Sequence, residues 1–251
     1  MHFDIIKSNW SLTLSVGEHG TVVDGGHFGA LAVQPSPLFV MQYAPVKRST
    51  VRWLPADSGI KDISSADGWN SVRAVCSDTL LQFYFSEPDH ITEISVVLTG
   101  KIDDSGISWS CEVINNNPDY SVHAVTYPTP TVTGQPLHLF LPDCAGRAIE
   151  HAGALGFGGR WDYPGHNMSM QYFAFWGEDG GVYLGVHDPD ASMKTFDVRI
   201  ADHKGRLSLI FPAIGCGCGA NSFCLGGVMR WEMIDGDWYD AAMLYAAFVR
   251  A

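Results

Sequence analysis

Apolar and polar residues alternate along much of this chain. In Trp10-Ser11-Leu12-Thr13-Leu14-Ser15-Val16 every second side chain is apolar, the two-residue period of a half-buried β-strand. Gly17 to Gly20 then reads as a turn. Leu80 to Phe85 and Thr92 to Leu98 are further strand-like runs. Ile107 to Ile114 sets Ile107, Trp109, Cys111 and Val113 on one face. Asn115-Asn116-Asn117-Pro118-Asp119 has turn chemistry, so Ser121 to Tyr127 is expected to fold back on the preceding strand as its hairpin partner. Later strands are expected at Met170 to Trp176, Val182 to His187, Thr195 to Ile200, Leu207 to Phe211 and Val228 to Met233. Glu178-Asp179-Gly180-Gly181 joins the first two of these as a hairpin. Many short runs at regular spacing predict an all-β protein, a large antiparallel β-sandwich rather than βαβ units.

Two stretches break the pattern. Residues 34–67 are rich in Pro, Ser and Gly and predict loops with a short strand around Val51-Arg52-Trp53-Leu54. Residues 129–159 carry Pro130, Pro136 and Pro142 and then a Gly-rich tract. The C-terminus changes period. Asp237 to Arg250 predicts a helix capped by Asp235 or Asp237, with Trp238, Ala241, Ala242, Tyr245, Phe248 and Val249 on one face. It has no C-cap glycine and no polar tail, and is expected to lead onward. The expected division is a sandwich over 1–234 and a linker helix over 235–251.

Composition narrows the partners. A hydrophobic fraction of 46% supplies a buried core. Acidic residues outnumber basic ones 27 to 15, a formal charge of -12, which disfavours nucleic acid and anionic membrane surfaces. No apolar run approaches the ~18 residues of a membrane span. The first residues lack the features of a signal peptide, so a cytoplasmic location is favoured. Cys76 and Cys111 sit in apolar runs as small buried hydrophobes. Cys216, Cys218 and Cys224 crowd together without C-x-x-C spacing. They read as free thiols ahead of a disulfide, and a metal site is the weakest reading.

The chemistry sits in one loop. Trp161-Asp162-Tyr163-Pro164-Gly165-His166-Asn167 sets flat aromatic faces beside hydrogen-bonding groups, the composition that grips a sugar. Trp161, Tyr163 and His166 are its candidate substrate-binding residues. Nucleophile, phosphate-loop and metalloprotease motifs are absent from the sequence. Gly215 to Gly219 lacks the lysine and helix of a phosphate cradle and reads as a tight turn. The paired carboxylates that glycoside hydrolysis requires are not evident, because Asp103-Asp104, Glu178-Asp179, Asp188 and Asp190 all fit turns. His123 alternates within a strand as a half-buried residue. No catalytic residue, metal or cofactor is assigned.

The blocks YPG, MQYFAFWG and GGVYLGVHDPD, between Tyr163 and Asp190, resemble a family signature. Similar too are ISWSCEVINNNPDYSVHAVTYP and the terminal DGDWYDAAMLYAAFVR. They look like the N-terminal β-supersandwich domain of glycoside hydrolases related to endo-α-N-acetylgalactosaminidase and α-galactosidase. The resemblance implies a galactose mutarotase-like supersandwich whose last helix leads to a (β/α)₈ barrel. The catalytic carboxylates of that family lie in the barrel. It also implies that Tyr163, Pro164, Gly165 and Gln171 face that barrel, which adds Gln171 to the candidate site. The mutarotase cousins use a His and a Glu, and this chain offers no matching pair. The expected function is therefore a non-catalytic domain of a carbohydrate-active enzyme. Its expected partners are carbohydrate and a barrel of the same polypeptide. An epimerase-like enzyme using His166 or His123 with a turn carboxylate, and a stand-alone sugar-binding module, are the alternatives.

Overall fold

The computed structural model describes residues 1–46 and 59–251, so the short strand expected at Val51 to Leu54 lies outside the described residues. The elements are β1 (His2–Ile6), β2 (Trp10–Val16), β3 (Thr21–Phe28), β4 (Leu31–Val33), β5 (Ser36–Pro37), β6 (Val40–Pro45), β7 (Lys61–Ser64), β8 (Trp69–Cys76), β9 (Leu80–Pro88), β10 (Ile94–Ile102) and β11 (Gly106–Asn115). They continue with β12 (Tyr120–Thr126), β13 (Thr131–Thr133), β14 (His138–Leu141), β15 (Arg147–Ile149), the one-turn helix α1 (Ala152–Leu155), β16 (Phe157–Tyr163), β17 (Tyr172–Gly177) and β18 (Gly180–His187). The last are β19 (Lys194–Ala201), β20 (Lys204–Pro212), β21 (Phe223–Cys224), β22 (Val228–Ile234) and α2 (Trp238–Arg250).

Two antiparallel sheets pack face to face, the sandwich that the alternation predicts. The larger runs β1-β2-β3-β4-β13-β20-β12-β6-β7, with β19 and then β16 branching from β20. The register explains the branch. Gly205 pairs with both Val132 of β13 and Ile200 of β19, and Ile210 pairs with both Thr126 of β12 and Thr195 of β19. One edge of β20 thus carries β13 and β12 end to end, and the other carries β19. The smaller sheet runs β15-β14-β17-β18-β22-β11-β10-β9-β8.

The expected pairing of Ser121 to Tyr127 with the strand before it does not occur. Both edges of β11 are taken, one by β10 and the other by β22 and β21. β12 instead crosses to the larger sheet, between β6 and β20. The polar turn is an arch between sheets, pinned by buried amides. Asn115 Nδ2 donates to Tyr120 O at 2.9 Å and to Asn221 Oδ1 at 2.8 Å. Asn221 in turn accepts from Val122 N and donates to Val122 O. The stretch read as loops over 34–67 also contains β6 and β7, which pair from Val40↔Ser64 to Tyr43↔Lys61.

Inward-facing residues of both sheets form one core containing Trp10, Trp69, Trp109, Trp231, Phe39, Phe83 and Phe85, all essentially inaccessible. Phe39 meets Phe85 edge-on at 4.9 Å, and Trp109 meets Trp231 at 5.7 Å. A second, smaller cluster lies on the outer side of the smaller sheet. Phe140, Tyr172, Ala174, Trp176, Tyr183 and Ile234 are covered there by Ala241 and Tyr245 of α2. Strand β17 is therefore buried on both faces. Helix α2 starts at Asp237, whose Oδ1 accepts from Tyr239 N at 2.8 Å. A helix of 13 residues is marginal alone, so docking on this aromatic patch is what holds it.

Candidate functional site

Between α2, the end of β16 and the loop after β18 lies a cleft of about 510 Å³, lined by Tyr163, Gln171, Asp188, Pro189, Tyr245 and Phe248. Its floor is a polar knot. Lys194 opens β19 at the inward position of a stripe that continues with Phe196, Val198 and Ile200, and its side chain is 0% exposed. A buried ammonium needs a partner for each proton. Lys194 Nζ donates to Asp188 Oδ2 at 2.8 Å and to Gln171 Oε1 at 2.6 Å, and lies 5.0 Å from the centre of the Tyr163 ring. Asp188 Oδ2 also accepts from Ser192 N, and its Oδ1 accepts from Asp190 N. Gln171 Nε2 closes the knot on Asp188 O at 2.9 Å.

The charges follow from these contacts. Burial alone would raise the Asp188 carboxyl, but the Lys194 hydrogen bond and charge, with Ser192, outweigh it and hold it below the usual carboxylate range. Burial lowers the Lys194 ammonium, opposed by Asp188. The pair is internally satisfied by its hydrogen bonds, so it shapes the floor rather than offering a free base. Burial, then Tyr245 and Asp188, raise the Tyr163 phenol, which stays neutral and able to donate.

Beside the cleft, Tyr183 and His187 share the outer face of β18 under α2. The Tyr183 hydroxyl lies 2.9 Å from His187 Nε2, and the His187 ring stacks on Phe248 at 4.4 Å with 5° between planes. Gly185 stands between them. A side chain there would occupy the position of the Tyr183 hydroxyl, so only glycine lets that ring lie along the strand toward His187. Burial lowers His187, assisted by Arg230 and opposed by Glu232, so it is held neutral. Arg230 is in turn bound by Asp103, Glu232, Ser105 and Ser108. With its face covered and its neighbours spoken for, His187 lacks an exposed acid–base partner among the described residues.

Of the four sequence candidates, the structure brings two together. Tyr163 and Gln171 both line the cleft. Trp161 shares a face of β16 with Tyr163 but is half-buried, stacked 6.1 Å from Phe157 and tilted against Phe173 at 6.4 Å, outside the cleft lining. His166 sits at an exposed turn that Met168 anchors through bridges to Asp143 and Gly165. It has no hydrogen bond or ion pair among the described residues. His123 is half-buried, as its position in the alternation implies, with Nδ1 3.4 Å from Cys216 Sγ. The six cysteines are free thiols, and Gly215 to Cys218 is a tight turn closed by Cys218 N on Gly215 O. Sequence reasoning missed Lys194 and took Asp188 as a turn residue. The available signal was a lysine at an apolar position of an alternating strand, six residues after a carboxylate.

An antiparallel sandwich with a helix laid on its outer aromatic face is the fold that the sequence resemblance implies, a galactose mutarotase-like one. Solved structures bear out that class. The chain is similar to an α-N-acetylgalactosaminidase from Bifidobacterium bifidum, with a TM-score of 0.66 and 13% identity over 99% of this chain and 39% of that one. It is similar to a GH36 α-galactosidase from Geobacillus stearothermophilus, with a TM-score of 0.59 and 11% identity over 100% of this chain and 42% of that one. A putative aldose 1-epimerase from Escherichia coli K12 also matches, with a TM-score of 0.53 and 10% identity over 92% of this chain and 98% of that one. The chain thus spans about two fifths of the two glycosidases. No family model matches the sequence, and no curated protein matches it.

Proposed function

We propose that this chain is the non-catalytic supersandwich domain of a glycoside hydrolase of the α-galactosidase and α-N-acetylgalactosaminidase kind. Residues 1–234 form the sandwich, and residues 235–251 form the helix that leads to a catalytic barrel of the same polypeptide. Helix α2 carries this reading. One of its faces covers the outer aromatic cluster, while Tyr239 and Met243, well round the helix from Tyr245, stay exposed, Tyr239 at 58%. A helix apolar on both sides is a helix with something on both sides. The lengths of the matched glycosidases support the same division, with three fifths of each left for another domain. Tyr163 and Gln171, which line the cleft, are the residues proposed to face carbohydrate; Trp161 and His166 lie outside its lining.

The purified chain should hydrolyse neither aryl α-galactosides nor aryl α-N-acetylgalactosaminides, and should not speed galactose mutarotation. Turnover that disappears in His166→Ala or His187→Ala would overturn the proposal. Titration with galactosides should change tryptophan emission saturably, and Tyr163→Ala should abolish the change. Flat emission up to high millimolar sugar sinks the sugar-facing part.

One observation favours a second reading, an epimerase-like enzyme. The matched aldose 1-epimerase is covered almost end to end, so this sandwich has the length of that whole protein. Against it stand the covered ring of His187 and the ion-paired Asp188. Polarimetry of α-D-galactose decides between the two.

A further inference from the structure

The larger sheet has its own cavity, on the outer face at the point where β13 and β12 meet end to end along β20. Its volume is about 340 Å³, at the small end of ligand sites, room for one sugar-sized molecule. Register sets its chemistry. Arg206 and Ser208 alternate outward along β20, and Thr131 lies directly across from Arg206. Thr126 of β12 lies across from Val40, and Gln42 of β6 lies across from Asp62 of β7. All line the cavity, so three strand hydroxyls, a guanidinium, an amide and a carboxylate converge on one hollow.

The polar groups are unequally used. Gln42 Nε2 already donates to Asp62 Oδ1 at 3.0 Å. Arg199, opposite Arg206 on β19, is paired with Asp197 at 2.8 Å. The Arg206 side chain has no ion pair or hydrogen bond among the described residues. Ser36, at the wall, has a buried hydroxyl without a partner among the described residues. In a chain of net charge -12, an unpaired guanidinium among unused hydroxyls is a surplus of donors.

We propose that this cavity binds a small hydroxylated carboxylate, of the size and kind of a sugar acid. The Arg206 fork takes the carboxylate, a match in which arginine exceeds lysine, and the serine and threonine hydroxyls take the hydroxyls of the ligand. Asp62 lies across the cavity as an acceptor for a hydroxyl. The site shares no lining residue with the cleft under α2.

The test titrates the purified chain with D-galacturonate and with D-galactose, followed by calorimetry or ligand-observed NMR. D-galacturonate should bind about tenfold more tightly, the advantage expected of one charge-assisted pair. Arg206→Gln should bring the two sugars level and Arg206→Lys should keep part of the gap. Tyr163→Ala, in the other cleft, should leave it intact. Arg206 is exposed, so these variants should keep the wild-type circular dichroism spectrum. Equal affinity for both sugars, no saturable binding of D-galacturonate, or an advantage that survives Arg206→Gln would each overturn the proposal.

Discussion

The molecule buries aromatic rings in two places, and it does so differently. Between the sheets, tryptophans and phenylalanines meet aliphatic chains from both sides. Under α2 tryptophan, phenylalanine and tyrosine rings meet in a run, with Trp238 and Tyr172 stacked on Phe140, then tilted contacts from Tyr172 to Tyr245 and from Tyr245 to Phe248. The first cluster is closed by the fold itself. The second is closed by a single helix, and its polar ends reach the cleft. The first makes the sandwich stable; the second makes one of its faces attachable.

The largest effect should come from the closed cluster. Trp109→Ala should cost about 4–5 kcal/mol in denaturant unfolding, as expected for truncating a fully buried aromatic. Next is the knot at the edge between the two clusters. Lys194→Met strands Asp188 without its ammonium and should cost about 3 kcal/mol, while Lys194→Met with Asp188→Leu should recover part of the loss. If the single variant proves neutral, the knot is not structural. Tyr245→Ala should cost about 2 kcal/mol and detach α2 before the sandwich melts, seen as early loss of helical signal against an unchanged main transition. If both transitions shift together, the helix is part of the core and the comparison fails.

The smallest effect is on pH. His187 is neutral when folded because burial lowers its affinity for protons. As pH falls below the ordinary histidine value of about 6.5, the unfolded chain takes up the proton first, so stability present above that value declines. His187→Gln should flatten this part of the stability curve. His123 and His138, also lowered by burial, will leave a residual slope.

Much of the architecture was legible because alternation survives wherever one face of a strand meets water, as in β2 and β11. The hairpin of β17 and β18 was legible from its turn, since Glu178 and Asp179 are the two residues between Gly177 and Gly180. What failed was pairing. Local turn chemistry around Asn115 to Asp119 fits a hairpin and an inter-sheet arch equally well. The choice was made by β22, more than a hundred residues later, which occupies the edge of β11. The Lys194 knot escaped for the same reason. Its three members lie on β19, the loop after β18 and the approach to β17, and only the folded sheet order brings them into contact.

That sheet order also dictates when the molecule can first exist. In the smaller sheet β22 is the strand that joins the β15-β14-β17-β18 block to the β11-β10-β9-β8 block. As the polypeptide leaves the ribosome, these two blocks emerge as separate ribbons, each with a bare hydrogen-bonding edge, until residues 228–234 arrive to seal them. Nascent chains stopped before that point should be sticky rather than partly functional, clients for chaperones and for one another. The smaller sheet therefore closes into one piece only after β22 has been made.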